Sequence, residues 1–198
     1  QIILVKDSKG PELICRDSIL LQSSPYICAT DLVAIESPVD VSDCSSYGIA
    51  YNLYANNGAL ANQFILVNGQ GPFFNKLPVG QFSLEYVVTD ACNNTSTCRT
   101  PIKVVDKATP NAVCNQFTKT SLDNNGFARV FAFTFDNGST DNCGITTMTL
   151  SKTNFTCTDA NGTPQSVTLT VIDASGNSAS CNATVTVVDT IVPVAQCK

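Results

Sequence analysis

Val104 to Cys114 reads VVDKATPNAVC: an apolar run, an Asp, a short connector, a Pro and a Cys. The same order opens the chain in QIILVKDSKGPELIC and closes it in TVTVVDTIVPVAQCK. The three copies are Asp7, Pro11 and Cys15; Asp106, Pro110 and Cys114; Asp189, Pro193 and Cys197. Recurrence on this scale marks tandem units. A second landmark keeps the same register: VVTDACNNTSTC precedes the middle copy as TVIDASGNSASC precedes the last, aligning Asp90 with Asp173 and Cys98 with Cys181. The expected organisation is a domain over 8–106 with a longer insert at about 51–80, then a domain over 107–189. Residues 1–7 read as the last strand of a preceding repeat or as an exchanged strand, and 190–198 as the start of a following repeat or a tail.

The strands are legible from period-two alternation. In SVTLTVID, Val167, Leu169 and Val171 alternate with Ser166, Thr168 and Thr170, the pattern of a strand with one buried and one wet face. ATVTVVD (Ala183 to Asp189) and FARVFAFTF (Phe127 to Phe135) read the same way, bounded by turn clusters such as DNNG, DANG and DASGN. No segment carries helical spacing with caps. Short strands at this density predict an all-β protein of two tandem immunoglobulin-like β-sandwiches joined by short Asp-x3-Pro connectors. Neither unit has a Trp, so the Cys-Trp-Cys pattern of antibody domains is missing. The aligned hairpins place Asn93 and Gly176 where a positive φ is needed. Pro110 and Pro193 hold the connectors extended, so the sandwiches are expected end to end as a rod.

Composition narrows the function. The 198 residues hold 16 Asp and Glu against 11 Lys and Arg, with no basic run, which argues against nucleic-acid or polybasic membrane partners. No apolar stretch reaches the length of a helical membrane span. The chain begins inside a repeat and reads as a segment of something longer or as a processed product. Ten cysteines, no histidine and no Cys-x-x-Cys pair favour disulfides over a zinc site, and with them an extracellular location.

The start motif D-x3-P-x3-C, the middle SLDNNGFA (Ser121 to Ala128) and DNGSTDNCG (Asp136 to Gly144), and the end TVIDASGNSASCNATVTVVD resemble the HYR, or hyalin-type, immunoglobulin-like repeats of large extracellular surface proteins, especially the tandem arrays of Bacteroidetes-type bacteria. The second domain resembles them over nearly its whole length. The first does so at its ends and at VSDC (Val41 to Cys44), its interior being longer. The resemblance implies a non-catalytic structural repeat of a cell-surface stalk, sheath or filament, whose partners are other copies of itself or adjacent repeats.

In the second domain, Cys114 with Cys181 and Cys143 with Cys157 form the expected set among the three pairings that four cysteines allow. By analogy Cys15 pairs with Cys98. Cys28, Cys44, Cys92 and Cys197 are left unassigned. One of them, Cys28 or Cys92 in this reading, is expected to cross-link neighbouring subunits or to meet a cysteine outside the chain.

Without histidine, a Ser-His or Cys-His nucleophile is impossible, and no GxSxG or phosphate-binding Gly loop occurs. Asp136 and Asp141 sit in a turn cluster where Asp serves backbone hydrogen bonding, so no enzyme is expected. Calcium is the one cofactor expectation, with Asp106 and Asp189 at the joints and Asp90, Asp136, Asp141 and Asp173 in loops. Asn93, Asn94, Asn137, Asn154, Asn161 and Asn182 carry N-glycosylation sequons. Ser18 and Thr190 fit an Asp-Ser/Thr-aliphatic O-glycosylation pattern. The alternative reading is an adhesin that recognises a glycan or a protein through the Tyr51 to Gly80 insert, rich in Asn, Gly, Tyr and Phe.

Overall fold

The computed structural model describes residues 6–34, 38–66, 73–74 and 76–193. The expected strand at 1–7 falls mostly outside them, as do 67–72 of the insert and Cys197. The chain forms two compact units, Gln1–Asp106 and Lys107–Lys198, and each is an immunoglobulin-like β-sandwich.

The first unit runs β1 (Glu12–Ile14), β2 (Ile19–Gln22), β3 (Val33–Ala34), β4 (Asp40–Ser42), β5 (Tyr47–Ala55), β6 (Leu60–Leu66), β7 (Phe73–Phe74), β8 (Gly80–Asp90) and β9 (Thr95–Val105). Its main sheet has the order β2-β9-β8-β5-β6, and β1-β4 and β3-β7 form separate pairs. The second unit runs β10 (Phe117–Ser121), β11 (Phe127–Arg129), β12 (Ile145–Leu150), β13 (Asn154–Thr156), β14 (Gln165–Asp173) and β15 (Ser178–Val188). Its sheet has the order β10-β15-β14-β12, beside the pair β11-β13. In both units the first strand of the main sheet pairs in parallel with the last, β2 with β9 and β10 with β15. The other neighbours are antiparallel.

Alternation builds both cores. Leu84, Tyr86 and Val88 of β8 and Ile102 and Val104 of β9 are buried, and Phe74 and Leu77 pack into the same cluster. Tyr51 and Tyr86 face each other across β5 and β8 and meet edge to face, 5.5 Å between centroids. In the second unit Val167, Leu169 and Val171 of β14 meet Val185 and Val187 of β15, closed over by Phe135 and Phe155. Each such aliphatic side chain contributes about 1.5–3 kcal/mol by leaving water.

One stretch departs from the sequence reading, and in the insert the residues Phe64 to Leu66, which read equally well as an additional strand or as part of a ligand-facing loop, are strand. FARVFAFTF is strand only over Phe127–Arg129; a 3-10 turn at Ala132–Thr134 follows, with Thr134 N–H donating to Phe131 O and Phe135 N–H to Ala132 O. That turn points Phe135 into the core. The insert is largely sheet: Tyr51–Ala55 belongs to β5, and Phe64 to Leu66 lie in the edge strand β6.

Candidate functional site

Both units end in the same hairpin. Asp90 Oδ1 accepts from the N–H groups of Cys92 and Asn94, each at 2.8 Å, and Asn94 Nδ2 donates to Asp90 Oδ2 at 2.8 Å. Asp173 Oδ1 accepts from Ser175 and Asn177, each at 2.8 Å, and Asn177 Nδ2 donates to Asp173 Oδ2 at 2.7 Å. Both carboxylates are buried. Burial opposes their charge, but the side-chain amide and backbone donors outweigh it and hold both below the ordinary Asp pKa. The left-handed position is Asn93, at φ 67°, in the first hairpin and Gly176, at φ 88°, in the second.

The last strand of each hairpin carries a disulfide to the segment that leads into the unit. Cys15, just after β1, joins Cys98 of β9 with Cα atoms 6.0 Å apart. Cys114 joins Cys181 of β15 with Cα atoms 5.9 Å apart. Cys28 and Cys143 are also disulfide-bonded. The Cys143–Cys157 bridge is not made: Cys157 is an exposed free thiol whose S–H donates to Gly126 O at 3.7 Å. Cys28 is therefore not a spare thiol; among the described residues the free cysteines are Cys44, Cys92 and Cys157, all exposed.

The joint carboxylates have separate roles. Asp106 is buried at the end of the first unit and accepts from the Ser23 hydroxyl at 2.9 Å. Asp189 is exposed and accepts from Ile191 N–H at 3.0 Å, forming an Asx turn. Asp136 accepts from the N–H groups of Gly138 and Ser139; the Ser139 contact outweighs burial and lowers its pKa. Asp141 accepts from Cys143 N–H at 2.8 Å, and carboxylate oxygens of Asp141 and Asp173 lie within 4.8 Å of one another. In the first unit Asp7, Asp43 and Cys44 are grouped within the same span. The Cys44 S–H donates to Asp7 Oδ2 at 3.4 Å, and that bond, with the charges of Asp7 and Asp43, raises the thiol pKa.

Two surface features escaped the sequence reading. A groove of about 650 Å³ crosses the first unit, lined from the insert by Tyr54, Asn56 and Gly58 and from β8 and β9 by Phe82, Arg99 and Lys103. Arg99 stacks 4.5 Å over the Tyr54 ring and pairs with Glu85 at 2.9 Å. On the second unit Phe127, Phe131 and Phe133 are exposed, with the last two rings stacked at 5.6 Å and Arg129 5.3 Å over Phe131. Alternation located the two faces of this stretch, but the small Ala128 and Val130 take the buried one. Of the glycosylation candidates, Ser18, Thr190, Asn93, Asn137, Asn154, Asn161 and Asn182 are exposed and Asn94 is half-buried.

No family model matches the sequence, and no curated protein matches it. Solved structures offer distant likenesses. Fibronectin(III)-like modules of CbhA from Clostridium thermocellum align with a TM-score of 0.35 and 10% identity, over 95% of this chain and 99% of theirs. The N-terminal eight Ig domains of Down Syndrome Cell Adhesion Molecule give 0.48 and 12%, over 94% of this chain and 28% of that one. The complex of Dpr11 IG1 with DIP-gamma gives 0.48 and 9%, over 91% of this chain and 100% of that one.

Proposed function

We propose that the chain is a non-catalytic structural repeat of a secreted cell-surface stalk, sheath or filament, of the HYR type its motifs resemble and stiffened by disulfides. The observation that carries this reading is the staple repeated in both units, Cys15–Cys98 and Cys114–Cys181, tying the leading segment of each sandwich to its last strand. Closing loops of these lengths stabilises each unit by about 4–5 kcal/mol in the chain-entropy model. Such bonds persist in an oxidising, extracellular setting. The partners are further copies of the chain or adjacent repeats. Electron microscopy of the purified protein under oxidising conditions tests the reading: ordered fibres are expected, and dispersed single particles at every concentration tried would reject it.

A second reading, the adhesin, is favoured by the groove that the insert helps to line. A half-buried Tyr with an Arg stacked on it at the wall of a groove offers a ring edge and hydrogen-bond donors to a sugar. Glycan-array binding abolished by Tyr54→Ala would support it, and binding unchanged by that substitution would remove it. Calcium is the cofactor to test with either reading, at Asp106, Asp189 or the Asp141 and Asp173 carboxylates. Thermal unfolding that does not change on adding chelator would reject it.

A further inference from the structure

The groove of the first unit differs in charge from the chain that carries it. The protein holds 16 Asp and Glu against 11 Lys and Arg, yet two cations, Arg99 and Lys103, line the groove, and among the described residues no carboxylate does. Alternation along β9 puts them there: Thr100, Ile102 and Val104 are buried, while Arg99, Pro101 and Lys103 are exposed on the other face. Pairing then gives each its neighbours. Lys103 stands opposite Leu20 of β2 and Gln81 of β8, Pro101 opposite Ser83, and Arg99 opposite Glu85. Tyr54 of β5 continues the middle row, opposite Ser83.

The two cations are held differently. Arg99 Nε donates to Glu85 Oε1 at 2.9 Å, and Glu85 Oε2 accepts from Asn52 Nδ2 and Tyr54 Oη, each at 3.0 Å. With its guanidinium also 4.5 Å over the Tyr54 ring, Arg99 is fixed in orientation, yet 56% of its side-chain surface stays open to a ligand. Glu85 balances that charge. Lys103 has no such partner: among the described residues the acidic groups in ion pairs are Glu12, Glu85 and Asp159, bound by Lys9, Arg99 and Lys152. The uncompensated charge of the groove therefore sits at Lys103, where it complements an anion.

The rest of the lining selects among anions. Four residues of β9 separate the two cations by about 13 Å along the strand, with Pro101 and the Ser83 hydroxyl between them. An apolar ring beside a hydroxyl, flanked by cations, matches a chain of sugar rings with acidic substituents. An acidic peptide that adds as a strand needs a free sheet edge. Three of the four strands lining the groove, β5, β8 and β9, are internal, and their backbone groups are spent on their neighbours.

We propose that this groove binds a saccharide bearing carboxylate or sulfate groups, with one anion on Lys103, the next on Arg99, and ring hydroxyls on Ser83 and Gln81. This rests on the adhesin reading above and names the class of glycan. Binding of the full chain to oligogalacturonate, chondroitin sulfate oligosaccharides and neutral cello-oligosaccharides tests it, the first two probes distinguishing carboxylate from sulfate. At least one acidic probe should bind more tightly than the neutral one, and less tightly as salt rises. Lys103→Gln, at an exposed position, should leave the melting temperature unchanged and weaken that binding about tenfold or more. Lys119→Gln, an exposed lysine of the second unit, should leave it unchanged.

Acidic probes that bind no better than the neutral one, or binding that Lys103→Gln leaves intact, overturn the inference. Equal losses in Lys103→Gln and Lys119→Gln mean diffuse attraction and overturn it too, as does polyglutamate that binds as tightly as the acidic sugars. Neutral-sugar binding that is lost in Tyr54→Ala upholds the adhesin and overturns only the acidic class. A chain that binds none of the saccharides overturns both.

Discussion

The two hairpins differ at their left-handed residue and share the three donors that close on the Asp carboxylate. Asp90 and Asp173 each draw two backbone N–H groups and one Asn side chain onto a buried carboxylate, although Asn93 stands where the other hairpin has Gly176. The difference shows which interactions specify the turn. Once an Asp at the strand end satisfies the donors of the reversing backbone, the left-handed position needs only a residue that tolerates positive φ, and Asn and Gly both do. The loops away from these hairpins are under no such constraint, and there the units diverge: the first adds β6 as a fifth strand to its sheet, the second has four strands.

The comparison can be broken most forcefully at the staples. Replacing Cys114 and Cys181 with Ala should cost roughly 2–5 kcal/mol, and replacing Cys15 and Cys98 nearly the same, since sequence separations of 83 and 67 differ little in loop entropy. Two separate transitions in calorimetry, one moved by each double substitution, would establish the equivalence; a far larger loss in one unit would break it. Next comes Asp173→Ala, expected to lower the melting temperature of the second unit by about 5–10 °C, with Asp90→Ala acting in the same direction on the first. Because both folded pKa values lie below the ordinary 3.8, the stability they confer is present above that value and lost as pH falls through the folded pKa. Urea unfolding at neutral pH and near pH 3 should show the gap between wild type and variant narrowing in acid.

Smaller effects sharpen the role of the turn residue. Gly176→Ala should cost about 1–2 kcal/mol, because a Cβ is strained at positive φ even where no neighbour lies within 4 Å. Gly176→Asn should cost less, giving the second hairpin the residue the first uses. Asn93→Gly should fall within about 0.5 kcal/mol of neutral. Chemical denaturation of the three variants would rank them, and a large loss for Asn93→Gly would mean that the Asn side chain does more than permit the conformation.

These hairpins and the strands flanking them were legible because the determinants are local. Val167, Leu169 and Val171 alternate, Asp173 follows, and the turn residues lie within the next four positions. The Phe127 to Phe135 stretch was less legible. Its alternation identifies two faces but not which is buried, and the outcome turns on Phe155 and Phe135 already filling the core above β14. The cysteines are the extreme case. Cys143 and Cys157 are close in sequence, yet they flank β12 and β13, which belong to different sheets, and only the folded positions decide which thiols can meet. The groove beside Tyr54 was invisible for the same reason, since its walls come from four strands, β2, β5, β8 and β9, and the β5–β6 turn.

The staple also sets how much length a unit can release. A pull on the leading segment reaches Cys15, crosses directly to Cys98 and leaves along the last residues of β9. The intervening residues, with a sequence separation of 83, never come under tension. At about 0.34 nm per residue, roughly 28 nm of chain is held out of circulation until the bridge is reduced. The second unit withholds somewhat less, through the shorter separation of 67 between Cys114 and Cys181. An oxidised chain is thus nearly inextensible, and its reserve of slack is controlled by reducing agents rather than by force.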